Sequence, residues 1–159
     1  MNIKIACAGK MKERYLIDAA ADYQKRLSRF ASVEIAEVAD EIIPDSASPA
    51  EEQRAIEKEG EKLLKRIAPQ EHVIALAIGG KSYDSEAFAA HIERLQTQGK
   101  SRITFVIGGS LGLSPAVLAR ADETLSLSKM TLPHRLARIL LLEQIYRAFK
   151  INAHETYHK

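Results

Sequence analysis

Three segments of the chain combine glycine or small polar residues with the end of a predicted strand. They are Ile78-Gly79-Gly80, Gly108 to Ser114, and Leu127 to Leu132. Glycine lets a backbone approach a ligand closely and adopt positive φ angles. Each segment taken alone is more simply a tight turn between a strand and a helix. Ligands of open α/β sheets bind outside the carboxyl ends of the strands, so the three segments are the candidate binding loops.

Several common kinds of site are excluded by spacing. A phosphate-binding P-loop needs a lysine soon after its glycines, but no lysine follows Gly108 before Lys129. A dinucleotide fold needs three glycines after the first strand, where Gly9 stands alone. His154 and His158 are four residues apart without a third ligand nearby, so we predict no metal site. The single cysteine, Cys7, lies in an apolar segment and is predicted to be a buried thiol.

Periodicity and capping signals place strands and helices in alternation along the chain. The predicted strands are Asn2 to Ala8, Ser32 to Val38, His72 to Ile78, Ile103 to Ile107 and Thr124 to Leu127, with Gly79-Gly80 as a turn. The predicted helices are Tyr15 to Leu27, Pro49 to Ile67, Ser85 to Gln98, a short one after Ser114, and Pro133 to Ile151. This order predicts an α/β fold: a mostly parallel sheet of five or six strands with helices on both faces.

The last predicted helix is unusually apolar. Leucine and isoleucine occupy Leu136, Ile139, Leu140, Leu141, Leu142 and Ile145, which is too wide a surface for one helix face. Either this helix is central to the core or it also packs on a second subunit. Glu143 interrupts the apolar surface, and it could pair with Arg147 one turn later or cross a subunit interface.

Composition is that of a globular domain, with 46% hydrophobic and 28% charged residues among 159. We therefore expect one domain over residues 1–159, located in the cytoplasm and without a membrane segment. The net charge is only +2. The segment from Ser126 to Lys159, however, contains six Lys/Arg against two Asp/Glu. This basic end suits either phosphate contacts or an ordinary solvent or dimer face.

Four separated motifs resemble one known family, the ribosomal RNA large-subunit methyltransferase H family. They are Phe105 to Ser114 (FVIGGSLGLS), Leu125 to His134 (LSLSKMTLPH), Glu143 to Ile151 (EQIYRAFKI), and the ending Tyr157-His158-Lys159. The opening Ala8-Gly9-Lys10 and the segment Leu76 to Lys81 fit as well. The match runs from end to end, with the motifs in order and the length in agreement.

The resemblance implies a trefoil-knotted (SPOUT) methyltransferase, whose C-terminal segment threads through a loop. It implies a homodimer that transfers a methyl group from S-adenosyl-L-methionine to N3 of a pseudouridine in large-subunit (23S) rRNA. The substrate would be the assembled ribosome. Carried over by position, the residues that would hold the cofactor are Leu76, Gly108, Leu127, Ser128, Lys129, Met130, Thr131 and Leu132.

The resemblance also implies that the functional tail consists of Tyr157, His158 and Lys159, together with Arg147 on the last helix. N3 of pseudouridine carries a proton, so a base is needed, and histidine is the natural choice. His158 is the candidate base, while Tyr157 would contact the target base. Arg147 and Lys159 would hold phosphates or stabilise the developing anion.

The tail departs from the family at His154 and Thr156, where glycine and proline often stand, which puts the rigidity of the tail in question. The alternative function is a non-catalytic ribosome-binding factor with the same fold. A knotted methyltransferase acting on tRNA or on a ribose hydroxyl is a further alternative.

Overall fold

The computed structural model describes residues 1–159 as five strands and five helices. The strands are β1 (Asn2–Ala8), β2 (Ser32–Val38), β3 (His72–Ser82), β4 (Arg102–Ile107) and β5 (Glu123–Ser126). The helices are α1 (Arg14–Leu27), α2 (Pro49–Leu64), α3 (Ser85–Thr97), α4 (Pro115–Arg120) and α5 (His134–Asn152). The predicted alternation of strands and helices is therefore confirmed.

The strands form one sheet in the order β2-β1-β4-β3-β5, and each neighbouring pair is parallel. The predicted parallel sheet is confirmed, with five strands. Because all strands run the same way, their carboxyl ends lie along one edge. The order places β3 between β4 and β5, so the segments that follow these three strands are neighbours at that edge.

Helices cover both faces of the sheet, because the inner strands are apolar on both sides. In β1, Ile3, Ile5 and Cys7 belong to the larger core, which includes residues of α1, α3 and α5. Ala6 and Ala8 point the other way, into a smaller core completed by Leu63 of α2 and Val117 of α4. Cys7 is fully buried, as predicted, and burial raises the pKa of its thiol to about 11.

The predicted turn at Gly79-Gly80 is wrong, because β3 continues through both glycines to Ser82. Leu76 and Lys81 both pair with Leu125 of β5, so the intervening residues bulge out of the ladder. A Cβ on Gly80 would lie 2.8 Å from the backbone nitrogen of Leu125. The glycine is therefore needed for the close approach of two strands, a role that a sequence pattern does not distinguish from a turn.

Helix α5 is central to the core, which is the first of the two possibilities that its apolar surface left open. Leu141, Leu142 and Ile145 are fully buried in the larger core. Leu136 and Leu140, one turn apart, remain 40% and 39% exposed. The helix is thus central to the fold and also presents an apolar stripe. None of the helices is both long enough and apolar enough to cross a membrane.

Candidate functional site

The predicted cofactor residues come together at the carboxyl edge of β4, β3 and β5. Leu76 lies in β3 opposite Leu125 of β5, and it packs partly buried against the larger core. Gly108 directly follows β4, and Leu127 directly follows β5. We call the bulge of β3 at 77–80, together with the segments 108–113 and 127–132, the first, second and third edge loops. Since β3 separates the other two strands, the first edge loop lies between the second and the third.

Each edge loop exposes one large apolar side chain. Ile78 of the first loop is 58% exposed, Leu111 of the second 36%, and Met130 of the third 77%. Exposed apolar side chains grouped in this way are typical of ligand-binding surfaces. The edge therefore offers apolar groups that could cover the ring of a heterocyclic ligand.

The third edge loop leaves its backbone largely unused. None of the backbone–backbone hydrogen bonds outside the helices and strands involves residues 127–132. Its shape is held instead by side chains, since Ser126 Oγ donates to Ser128 O (2.9 Å) and Met130 N donates to Ser128 Oγ (3.0 Å). Lys129 and Thr131 are exposed and Leu132 is half-buried. Free peptide N–H and C=O groups can form hydrogen bonds with the edge of an adenine ring.

The second edge loop is a tight turn closed on itself. Gly109 and Gly112 form an isolated antiparallel bridge, and Gly112 N donates to Gly109 O over 3.1 Å. Gly112 has φ +88°, which favours glycine. Gly108 is buried beneath this turn, and a Cβ there would lie 2.8 Å from the carbonyl carbon of Gly112. Gly108 thus shapes the loop by having no side chain.

A cleft of about 390 Å³ adjoins the third edge loop. Its walls come from β5, α3 and α5, and its lining residues are Tyr83, Asp84, Ser85, Phe88, Leu125, Ser126, Leu127, Leu140 and Gln144. Small-molecule sites are typically about 300–1,000 Å³. Leu127 is the residue that this cleft shares with the predicted cofactor set.

Two of the four predicted tail residues, Arg147 and Tyr157, bind one carboxylate, Glu143 of α5, and His158 contacts Arg147. We call these four side chains the tail cluster. Arg147 Nε donates to Glu143 Oε1 over 2.9 Å, and the Tyr157 hydroxyl donates to the same oxygen over 3.2 Å. The guanidinium of Arg147 lies 4.7 Å from the centre of the Tyr157 ring and 3.1 Å (Nη1) from His158 Nδ1. Lys159 is exposed and makes no hydrogen bond or ion pair.

For Glu143 the sequence left two alternatives open, a pairing with Arg147 or a position across a subunit interface. The structure shows the pairing with Arg147, which i,i+4 spacing made possible. It also links the tail to the cleft, because Gln144 Nε2 donates to Glu143 Oε2 and Gln144 Oε1 accepts from Ser85 Oγ. Burial, and then the charge of Glu143, raise the pKa of Tyr157 to about 12. Tyr157 is therefore a hydrogen-bond donor at neutral pH.

The tautomer of His158 follows from its partners. A guanidinium only donates hydrogen bonds, so Nδ1 of a neutral His158 accepts from Arg147 and Nε2 carries the proton. Nε2 faces Glu86 Oε1 at 3.6 Å, beyond hydrogen-bond length. In this arrangement the basic nitrogen is occupied by Arg147.

The tail is tied down at its start by a helix-terminating motif and an ion pair. His154 has φ 57°, Glu155 N donates to Lys150 O, and His154 N donates to Ile151 O, which together make a Schellman motif. The backbone thus adopts the conformation suited to the glycine that the family often has here. The Glu155 carboxylate accepts two hydrogen bonds from Arg29 (2.8 Å each) and one from Lys150 (2.6 Å), and these lower its pKa to about 2.

The histidines outside the tail either contact a carboxylate, as His72 and His91 do, or follow the third edge loop, as His134 does. His72 and His91 contact the two oxygens of Glu123, at 2.5 Å and 2.6 Å from their Nε2 atoms. His134 begins α5, and burial, followed by the charges of Arg135 and Arg138, lowers its pKa. No group of three or more His, Cys, Asp or Glu side chains is arranged to hold a metal ion.

Comparison with known proteins identifies close relatives. Residues 1–158 match the family model described as "Predicted SPOUT methyltransferase". The chain is 58% identical to a ribosomal RNA large subunit methyltransferase H of Bifidobacterium animalis subsp. lactis (strain AD011), over 100% of both chains. It is 55% identical to one of Lactobacillus delbrueckii subsp. bulgaricus (strain ATCC BAA-365 / Lb-18), also over 100% of both chains. One of Bacillus thuringiensis (strain Al Hakam) is 56% identical over the same extent.

Solved structures agree at the level of fold. A probable methyltransferase from Bordetella pertussis Tohama I superimposes with a TM-score of 0.56 at 18% identity, covering 92% of this chain and 95% of that one. A probable methylase family protein from Haemophilus influenzae Rd KW20 gives 0.55 at 16% identity, covering 99% of this chain and 70% of that one. At these identities the likeness concerns the arrangement of strands and helices.

Proposed function

We propose that this chain, which belongs to the SPOUT methyltransferases and within them to the ribosomal RNA large subunit methyltransferase H family, methylates large-subunit rRNA. The observation that carries the proposal is the convergence of the three edge loops beside one another. We further propose that the methyl donor is S-adenosyl-L-methionine and that the acceptor is N3 of a pseudouridine in the assembled ribosome.

The edge loops have the chemistry that this cofactor needs. Exposed Ile78, Leu111 and Met130 provide apolar groups to cover an adenine ring, and the unused backbone of 127–132 provides hydrogen-bond donors and acceptors. We assign cofactor binding to Leu76, Gly108 and residues Leu127 to Leu132. When bound, S-adenosyl-L-methionine supplies an electrophilic methyl group on a sulfonium. The protein then contributes mainly by positioning, which can account for much of the rate enhancement.

The tail cluster would prepare the acceptor. The imide nitrogen of pseudouridine becomes nucleophilic once its proton leaves, and we assign that proton to His158. Tyr157, protonated up to about pH 12, would donate a hydrogen bond to the base or stack on it. Arg147 and Lys159 would bind phosphate or stabilise the imide anion.

For this chemistry His158 must part from Arg147. The guanidinium now donates to Nδ1, the nitrogen that would accept the proton. An RNA phosphate or imide anion would compete for Arg147, because charged acceptors form stronger hydrogen bonds than a neutral imidazole does. We therefore propose that binding of RNA draws Arg147 away and thereby frees the base.

The proposed dimer and the proposed substrate have support from the surface. The stripe formed by Leu136 and Leu140 is an apolar face on a central helix, as a subunit interface requires. A net charge of +2, with the excess of Lys/Arg in the last 34 residues, suits docking on a large preformed particle through a local basic patch. With that substrate, we also propose that the enzyme works in the cytoplasm.

The deciding experiment uses labelled S-adenosyl-L-methionine and ribosomes from cells that lack this methyltransferase. One preparation also lacks the synthase that makes the relevant pseudouridine. We expect label in large-subunit rRNA only where pseudouridine is present. Label in both preparations would support the methyltransferase activity but contradict pseudouridine as its target. Ribosome binding without any label would instead identify a non-catalytic binding factor.

A further inference from the structure

A buried carboxylate on α2, away from the tail cluster, connects two segments at the carboxyl edge of the sheet. Glu59 is only 6% exposed. Its Oε1 accepts a hydrogen bond from Gly109 N (3.0 Å), in the second edge loop. Its Oε2 accepts from Glu41 N (3.1 Å), in the segment that follows β2. Neither hydrogen bond belongs to a helix or a strand, so this one side chain takes the place of missing backbone partners.

The fit between α2 and the second edge loop is close at two adjacent positions of the helix. A Cβ on Gly109 would lie 2.9 Å from Glu59 Oε1 and 3.1 Å from Oε2. The next residue of α2, Gly60, faces Ser114, and a Cβ there would lie 2.8 Å from Ser114 Cβ. Ser114 in turn caps α4 by accepting from Val117 N. Glu59 and Gly60 of α2 thus contact the beginning and the end of the segment from Gly109 to Ser114.

From these contacts we infer that Glu59 is a positioning residue for methyl transfer, which holds the second edge loop in the form that binds the cofactor. The inference rests on the proposed function, because it takes Gly108 as part of the cofactor site. Glu59 does not touch the cofactor in this scheme. It acts through the peptide unit between Gly108 and Gly109, whose N–H it binds.

The carboxylate is better suited to this position than its amide would be. Both carboxylate oxygens accept, whereas glutamine has one accepting oxygen and one donating NH2 group. In Glu59→Gln one of the two backbone N–H groups would face another donor and lose its partner. Leaving a buried donor without a partner is costly, so the loop would shift toward other conformations.

Glu71 provides a matched control. It is also buried (7% exposed), and it also accepts two hydrogen bonds, from Lys4 Nζ (2.7 Å) and Thr104 Oγ1 (2.7 Å). It directly precedes β3, at the amino end of the sheet, opposite the edge loops. Glu71→Gln should therefore lower thermal stability without changing cofactor binding.

The experiment measures the calorimetric Kd for S-adenosyl-L-methionine, the Tm, the kcat on ribosomes, and amide hydrogen exchange. For Glu59→Gln we expect Kd to rise about tenfold, in line with the loss of one buried hydrogen bond. The kcat at saturating cofactor should stay within about twofold of wild type, because positioning by the loop mainly affects binding. Exchange should accelerate at Gly109 or Glu41, and Glu71→Gln should change only Tm.

Two outcomes would overturn the inference. If Glu59→Gln lowers Tm as Glu71→Gln does but leaves Kd unchanged, then Glu59 is merely structural. If wild type itself takes up no S-adenosyl-L-methionine, the proposed function fails first, and the inference fails with it. Should Glu59→Gln not fold, Gly109→Ala tests the same contact from the loop side, with the same expected rise in Kd.

Discussion

Individual side chains divide the site into two sets of different character. In the proposed site, the edge loops would act through glycines and free backbone groups, whereas the tail would act through the side chains of Glu143, Arg147, Tyr157 and His158. Removal of a tail side chain should therefore affect the chemical step. A side chain added to a loop glycine should affect cofactor binding instead.

His158 is the residue on which the proposed proton transfer depends. We expect His158→Ala to lower kcat about 100-fold or more, the usual contribution of a general base, with the calorimetric Kd for S-adenosyl-L-methionine unchanged. The matched control is His154→Asn, because His154 is an exposed histidine of the same tail at φ 57°, which asparagine tolerates. Equal turnover in wild type and His158→Ala would remove this residue from the mechanism.

A substitution at Gly108 tests the role of the edge loops. A methyl group at this position would lie 2.8 Å from both the carbonyl carbon and the carbonyl oxygen of Gly112. The turn would have to open, and overpacking of this kind typically costs about 1–3 kcal/mol. We expect Gly108→Ala to weaken cofactor binding at least about tenfold by calorimetry.

The control for Gly108→Ala is Ser101→Ala, an exposed position just before the other end of β4. Its Kd should equal that of wild type. A Gly108→Ala protein that bound the cofactor normally would show that the second edge loop does not form the site.

At the scale of elements, the end of α5 is held by one local and one long-range ion pair. Glu155 pairs with Lys150 five residues earlier and with Arg29, which follows the C-cap of α1. These contacts depress the folded-state pKa of Glu155 from 4.5 to about 2. Because the pKa is lowered by folding, the stabilisation is complete above about pH 4.5 and is lost as the pH falls toward 2.

The tail should therefore undock in acid through this residue. We expect the Tyr157 amide resonance to be displaced in Glu155→Gln relative to wild type at neutral pH. The difference between the two proteins should shrink as the pH falls from 4.5 toward 2, because protonation makes the wild-type side chain neutral as well. A difference that stays constant over this range would show that Glu155 does not hold the tail.

At the scale of the whole molecule, the two faces of the sheet differ in what their helices leave uncovered. The face with α1, α3 and α5 carries the stripe of Leu136 and Leu140, while α4 on the opposite face exposes Leu118 to the same 40% extent as Leu136. A homodimer that uses the α5 face should bury only the first stripe.

A charge on the α5 stripe should then separate the subunits. We expect Leu136→Glu to raise the dimer dissociation constant at least about tenfold, since it would place a carboxylate in an apolar interface. Sedimentation velocity over a range of protein concentrations measures this constant. Leu118→Glu, with equal exposure on the other face, should leave it unchanged. Equal effects of the two substitutions would place the interface elsewhere.

Local signals in the sequence predicted much of the architecture. The alternation of strands and helices was recognisable because periodicity and capping signals are set by residues close together in the chain. The positions of the second and third edge loops followed from the same signals, whereas the first was predicted as a turn and is a bulge within β3. The threading of the C-terminal segment, the roles of the site residues and the dimer stay predictions from the family.

Other features were decided only by tertiary structure, because they join residues that are distant in sequence. The order of the strands brings β3 between β4 and β5, and this makes neighbours of loops 30 to 50 residues apart. Glu59 meets Gly109 across 50 positions and Arg29 meets Glu155 across 126. Gly80 shows most clearly what the sequence could not decide. The glycine was recognised in the sequence, but only the close approach of β5 shows that it is needed for strand packing and not for a turn.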